Sequence, residues 1–319
     1  MPTGYLHERP DFPDLLRILE SETGIQAYLV EKDYWIMHVL YGLQRQQFAF
    51  ELKGGTSLSK GFKLIHRFSE DIDIQIHPPA RFAINENPKN TNAKNIAAKK
   101  EFYDWLANNI RIDGIVTIER DTTFDDPEGK FRSGGIRLYY ASQVTPLPGI
   151  KEGILLEVGF DTVSPNQPVT ISSWAYDRAG ALPNVAITDN RALDVICYNP
   201  EYTFVEKLQT IATKFRKEQE GISISPNFMR QYYDVYCLLD DPRVQEFIGS
   251  AQYHEHKQKR FPQADRDIPA ALNQAFLLES PAIRVEYKRR YEATANLYYQ
   301  GQPPFEALLA RIKQYLPNI

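Results

Sequence analysis

Apolar residues recur at three-to-four-residue spacing over positions 13–20 and 25–43, the second run passing through Leu29, Ile36, Val39, Leu40 and Leu43. That period predicts two helices. Phe48 to Leu52 reads as a strand running into Gly54-Gly55, and Thr56 then caps a short helix predicted to reach Leu64 and Ile65. Polar and apolar residues alternate strictly from Asp71 to His77, which predicts a strand. A helix is expected over 92–110, and strands over 115–120, 135–140 and 154–160. Between Thr162 and Asp189 the chain is rich in Pro, Ser and Asn, and no regular element is predicted there. From Pro200 onward the pattern is helical, over 202–217, 226–239, 269–278, 283–299 and 305–315. The change near residue 190 implies an α+β lobe over 1–190 and a helical lobe over 191–319.

Composition narrows this picture without changing it. The chain has 319 residues, of which 43% are apolar and 12% aromatic, enough to fold around real cores. No apolar run reaches the ~18–20 residues that span a bilayer, so no membrane role is expected. The first residues mix charges and prolines and lack the apolar core of a signal peptide. With only Cys197 and Cys237 present, a reducing, cytoplasmic setting and two buried, inert thiols are expected. The net charge of −4 argues against a protein dedicated to coating nucleic acid. Basic clusters such as Lys214, Arg216, Lys217 and Lys288, Arg289, Arg290 read by default as solvated helix faces. Tyr287, Tyr291, Tyr298 and Tyr299 read more readily as packing aromatics than as base-stacking platforms.

The chemistry concentrates between Lys53 and Ile74. In the strand at Asp71, period-two alternation puts Asp71, Asp73, Gln75 and His77 on one face and Ile72, Ile74 and Ile76 on the other. Two carboxylates forced side by side repel each other unless cations lie between them. Oxygen-only ligands suit Mg²⁺ or Mn²⁺ better than zinc. An exposed polar face is the competing reading of any lone Asp-x-Asp. Upstream, Gly54-Gly55 after a strand lets backbone amides approach phosphate oxygens, and the following helix N-terminus adds partial positive charge. Thr56 can add a hydroxyl; an ordinary turn and cap is the plainer alternative. Neither a P-loop nor a dinucleotide fingerprint occurs at this place. Lys53 and Lys60 are read as solvated charges.

Gly54, Gly55, Thr56 and Leu58, followed by Arg67, Phe68, Ser69, Asp71, Ile72 and Asp73, resemble the Gly-Gly-Thr-x-Leu and Arg-Phe-Ser-x-Asp-Ile-Asp signature of the AbiEii/AbiGii toxin nucleotidyltransferases. Those are a branch of the DNA-polymerase-β-like superfamily. Glu31 to Trp35, Thr203 to Leu208 and Arg230 to Asp234 are similar to further segments of that family, with Gln231 where a His is usual. The resemblance spans roughly residues 28–240. It implies a polymerase-β-like lobe with a mixed sheet, and a helical lobe that completes an active-site cleft. It implies nucleotidyl transfer from an NTP, with Lys207 clamping the triphosphate, Asp234 functionally important, and Arg67 and Ser69 orienting the aspartates or binding phosphate. The competing readings are a surface lysine at 207 and a surface ion pair between Arg230 and Asp234.

The superfamily also implies a third carboxylate. Glu157, which interrupts an apolar strand, is preferred over Asp161 at the strand's end, with a paired structural carboxylate as the alternative. In similar toxins the acceptor is the 3′ end of tRNA, and a cognate antitoxin, often a winged-helix protein, is the implied partner. Two rival readings are a small-molecule transferase of the antibiotic-modifying kind and a nucleotide-binding interaction protein without turnover. The base and the acceptor are not readable from these residues.

Overall fold

The structure, a computed structural model, describes residues 4–87, 90–183, 185–225 and 227–319. It divides into two units, Met1–Gly61 with Ser69–Tyr198, and Phe62–Phe68 with Asn199–Ile319.

The first unit contains α1 (Phe12–Thr23), α2 (Ala27–Arg45), β1 (Phe50–Lys53), a single helical turn α3 (Gly54–Thr56), β2 (Asp71–Ile76), α4 (Ala93–Asn109), β3 (Ile115–Asp121), β4 (Ser133–Tyr140), β5 (Ile154–Gly159), β6 (Asn166–Ile171), α5 (Trp174–Gly180) and β7 (Ala192–Tyr198). The strands form one sheet in the order β3-β4-β5-β2-β1-β7-β6. β2 pairs antiparallel with β1 and parallel with β5, and β1 pairs parallel with β7, so the sheet is mixed. The isoleucines of β2, Ile72, Ile74 and Ile76, are fully buried, as alternation requires of a core face. α2 is buried on all sides from Ala27 to Leu40. A helix without a solvent face is a core helix, and any charge it carries must find a partner.

Three features depart from the pattern-based expectation. The helix after Thr56 does not reach Ile65: α3 widens into a π turn over Ser57–Gly61 and stops. Lys63 then takes a φ of 56°, in the left-handed region, where a right-handed helix cannot continue. The Pro/Ser/Asn-rich stretch holds β6 and α5, and β7 follows it, so the first unit extends past residue 190. β6 is an edge strand, which is why it tolerates Pro168 and solvated side chains that obscure alternation. α5 is short, and its Ser173 cap accepts from the Tyr176 amide.

The second unit contains α6 (Pro200–Gln219), α7 (Arg230–Leu238), α8 (Pro242–Phe247), α9 (Ala251–Arg260), α10 (Gln263–Arg266), α11 (Gln274–Leu277), α12 (Pro281–Glu292) and α13 (Phe305–Tyr315). Pro226, the expected start of the second helix, lies outside the described residues, and α7 begins at Arg230. The expected helix over 269–278 is a 3₁₀ turn followed by α11, and the one over 283–299 ends at Glu292. α9 escapes the periodicity because Tyr253 and His256 are its buried residues. Tyr287, Tyr291 and Tyr298 are buried, and Tyr298 packs edge-on against Tyr233 and Tyr291, so they are packing aromatics. Phe62–Phe68 joins this unit through Phe68, whose amide donates to the Leu297 carbonyl at 2.7 Å. Both cysteines are free, and burial pushes both thiols up to about 12. Among the described residues no helix is long and apolar enough to cross a membrane.

One buried polar network belongs to the first unit. The Tyr34 hydroxyl meets His7 Nδ1 at 2.8 Å and accepts from Asn190 at 3.0 Å, and Asn190 contacts His38 Nδ1 at 2.9 Å. Burial lowers both imidazoles to about 4. Their neutral forms therefore stabilise the fold above the unfolded value near 6.5, and that stability is lost as pH falls towards 4. NMR titration is expected to find both rings neutral at about pH 5.5. A charged ring at either position at that pH would refute the burial of this network.

Candidate active site

The site is built where β2 leaves the core. Asp71 and Asp73 are half-buried on the face opposite the isoleucines. The β2–β5 register sets Asp73 beside Glu157 and Asp71 beside Leu155. On its other side Asp73 faces Lys53 of β1. The Asp73 carboxylate lies against Glu157, and burial together with that neighbour favours the protonated form of Glu157. Burial, then the neighbouring Asp73 and Glu70 charges, raises Asp71 to about 6. Burial, then the Asp73 and Asp71 charges, pushes Glu157 well above the usual carboxylate range. Asp161 instead lies 3.5 Å from Lys53 Nζ. β2 and β5 thus bring Asp71, Asp73 and Glu157 together.

The donor set, three carboxyl groups at one point of the sheet, has the chemistry of a hard divalent cation site. Among the described residues no group of three or more His, Cys, Asp or Glu side chains is posed to hold an ion.

The glycine turn is fitted against these carboxylates. Gly54 has a φ of 74°, and a Cβ there would collide with the Asp73 carboxylate. Only glycine satisfies both the left-handed backbone and the close approach. Thr56 is fully buried, and its hydroxyl donates to the Asp71 carbonyl. That hydroxyl ties the turn to β2, leaving the backbone amides of Gly54, Gly55 and Thr56 as the groups with phosphate-binding chemistry. Ser69 is half-buried just before β2.

The other expected site residues lie in the second unit. Arg67 is buried and grips Asp234 with two bonds, Nε to Oδ1 at 2.6 Å and Nη2 to Oδ2 at 2.7 Å. Lys207 Nζ lies 2.9 Å from Asp234 Oδ2. Burial alone would raise the Asp234 carboxyl, but the two cations outweigh it and hold it below its ordinary value. Lys207 is therefore a buried, paired lysine on α6 and not a surface one. Asp234 likewise sits in a fully buried triad and not in a surface pair.

Five charged residues with a structural part here were not among the expected site residues. Glu31, Lys32 and Asp33 are consecutive and all buried on α2. Asp33 accepts from Lys60, which is thus no solvated charge, and Lys32 lies 3.9 Å from Glu70. The available signal was three adjacent charges inside an otherwise apolar helix.

The mixed sheet thus presents paired aspartates and a third carboxylate beside a glycine turn. A family model described as nucleotidyl transferase AbiEii toxin, type IV toxin–antitoxin system, matches residues 38–311. The chain belongs to that family and is a nucleotidyltransferase. It is also similar to an antigenic nucleotidyltransferase-like protein from Paracoccidioides brasiliensis, at 14% identity over 74% of this chain and 96% of that one, with a TM-score of 0.34. So distant a likeness carries no weight here. No curated protein matches the chain significantly.

Two outcomes follow from this geometry. Because Asp71 and Glu157 titrate above their unfolded values, their contribution to stability is present below about pH 4 and is lost as pH rises through about 6 and beyond. In chelator, thermal unfolding should show Tm falling between pH 5 and 8, with Asp71 accounting for at most about 3 kcal/mol. Asp71→Asn should flatten that slope, and an unchanged slope would contradict the crowding. Separately, Asp234→Ala leaves two buried cations unpaired and should cost about 3–5 kcal/mol in denaturant unfolding. A loss under about 1 kcal/mol would mean the triad is hydrated.

Proposed function

We propose that the protein transfers a nucleoside monophosphate from an NTP to a hydroxyl acceptor in a metal-dependent reaction, acting as the toxin of its type IV toxin–antitoxin pair. The observation that carries this reading is the register of Asp73 with Glu157 beside Gly54. It joins an anionic cluster to a turn that can bind anions, two features that sense together only if cations and phosphates meet there. Asp71, Asp73 and Glu157 would hold Mg²⁺ or Mn²⁺. Bound there, the ion would lower the pKa of the attacking hydroxyl and neutralise the departing pyrophosphate.

The chain's own residues do the positioning. The amides of Gly54, Gly55 and Thr56 would receive phosphate oxygens, and they are held in place before substrate arrives, so little reorganisation is needed. The Thr56 bond to the Asp71 carbonyl fixes that turn relative to the metal-binding strand. Ser69 would orient the start of β2. In the second unit, Asp234 fixes the Lys207 ammonium. We assign Lys207 to the triphosphate, with Arg67 completing the support of Asp234, and the family resemblance favours this. The 3′ end of tRNA is the acceptor we propose, and a cognate antitoxin is the proposed partner. Action in the cytoplasm follows from both.

Asp71→Ala should reduce transfer of label from an α-³²P-NTP panel on the order of 10³-fold and abolish growth arrest on induced expression. Label is expected in the tRNA fraction of total RNA. Label in a small molecule such as an aminoglycoside would replace the acceptor, and full activity of the alanine variant would sink the catalytic assignment.

A further inference from the structure

Three consecutive charges inside a core helix are costly unless each is matched, and α2 matches all three in different directions. Successive helix residues point about 100° apart, so Glu31, Lys32 and Asp33 cannot share a partner. Glu31 accepts from Ser142 Oγ at 2.5 Å and from the Gln143 amide at 2.8 Å, holding the loop after β4. Lys32 Nζ donates to the Lys151 carbonyl at 2.5 Å and lies 3.9 Å from Glu70 Oε2. The Lys151 amide in turn lies 3.4 Å from Glu70 Oε2, so one cation gathers the residue before β2 and the loop before β5. Asp33 accepts from Lys60 through Oδ1 and from the Trp174 amide through Oδ2 at 2.9 Å. Lys60 belongs to the π turn that continues the Gly54–Thr56 turn, and its ammonium lies 5.8 Å from the Trp174 ring centre.

We infer that Lys32 and Asp33 are positioning residues that hold the two halves of the transfer site separately, Lys32 the carboxylate strands through Glu70 and Lys151, Asp33 the phosphate-binding turn through Lys60. This rests on the reading of Asp71, Asp73 and Glu157 as metal ligands and of the glycine turn as the phosphate site. Each tie acts close to the chemistry along the chain: Glu70 precedes Asp71 directly, and Lys60 follows Thr56 by four residues within the same continuous turn. Glu31 serves as the internal comparator, because the loop it holds contains no proposed site residue.

The test uses the full chain and two probes. Mn²⁺ binding by electron paramagnetic resonance, without nucleotide, reads the carboxylates. Binding of fluorescently labelled ATP and GTP in chelator reads the phosphate turn. Paired substitutions avoid stranding a buried charge. Lys32→Met with Glu70→Gln should weaken Mn²⁺ binding about tenfold or more and move nucleotide binding less than about threefold. Asp33→Asn with Lys60→Met should show the reverse, a tenfold or greater loss of nucleotide binding with Mn²⁺ binding nearly unchanged. Glu31→Gln should lower Tm and move neither probe. A loss of both probes in parallel in the two paired variants, or no change in either probe, overturns the inference, since a merely structural helix would act that way. A wild-type chain that binds neither probe overturns the metal and nucleotide reading, and this inference with it.

Discussion

The repulsion among Asp71, Asp73 and Glu157 is the constraint around which the first unit is arranged. Period-two alternation places the first two on one face of β2, and the parallel register with β5 adds the third. The same strand must keep Ile72, Ile74 and Ile76 in the core, so the carboxylates cannot turn away without exposing the apolar face. The cluster relieves itself with the means at hand. Burial and the neighbouring charges favour the protonated forms of Glu157 and Asp71. Acids crowded in this way favour taking up protons, and on the proposed reading a cation would relieve the same crowding.

Gly54 extends the same constraint along the chain. Its missing side chain is the space that the Asp73 carboxylate fills, so the glycine turn and the aspartates belong to one packing arrangement. Thr56 closes that arrangement by bonding to the Asp71 carbonyl, which shifts its contribution from touching phosphate to fixing the turn. On the proposed reading the turn would meet phosphate through its backbone, and backbone amides held rigidly are well suited to a charge that moves during reaction.

How far the sequence alone reveals this depends on the range of each interaction. The β2 alternation and the helical periods of α1, α2 and α6 are local, and they were legible. β6 was not, because an edge strand with Pro168 and solvated side chains lacks the alternation that marks a half-buried strand; β7, an interior strand, shows no regular alternation of buried and exposed positions either. In the site, Asp71, Asp73 and the glycine turn were visible as spacing, and Glu157 as a charge within an apolar run. The Arg67–Asp234–Lys207 triad was not readable as a triad, since its members are separated by up to 167 positions and only folding joins them. A helical four-residue spacing pointed Asp234 towards Arg230, and tertiary pairing with two buried cations is the stronger interaction.

α2 shows why buried charge can be informative when apolar pattern is not. Its apolar residues say only that the helix lies in the core, and many sequences could satisfy that. Glu31, Lys32 and Asp33 are far more restrictive, because each must meet a partner of opposite charge or a backbone group in one direction only. Three such demands at 100° intervals fix the rotation of the helix and the positions of three surrounding segments together. Leucines in their place would keep the helix buried, and buried ion pairs often give up little when exchanged for apolar packing. The charges therefore make better sense as determinants of where the π turn, β2 and the loop before β5 sit than as sources of stability, which is the property a site assembled from separate segments requires.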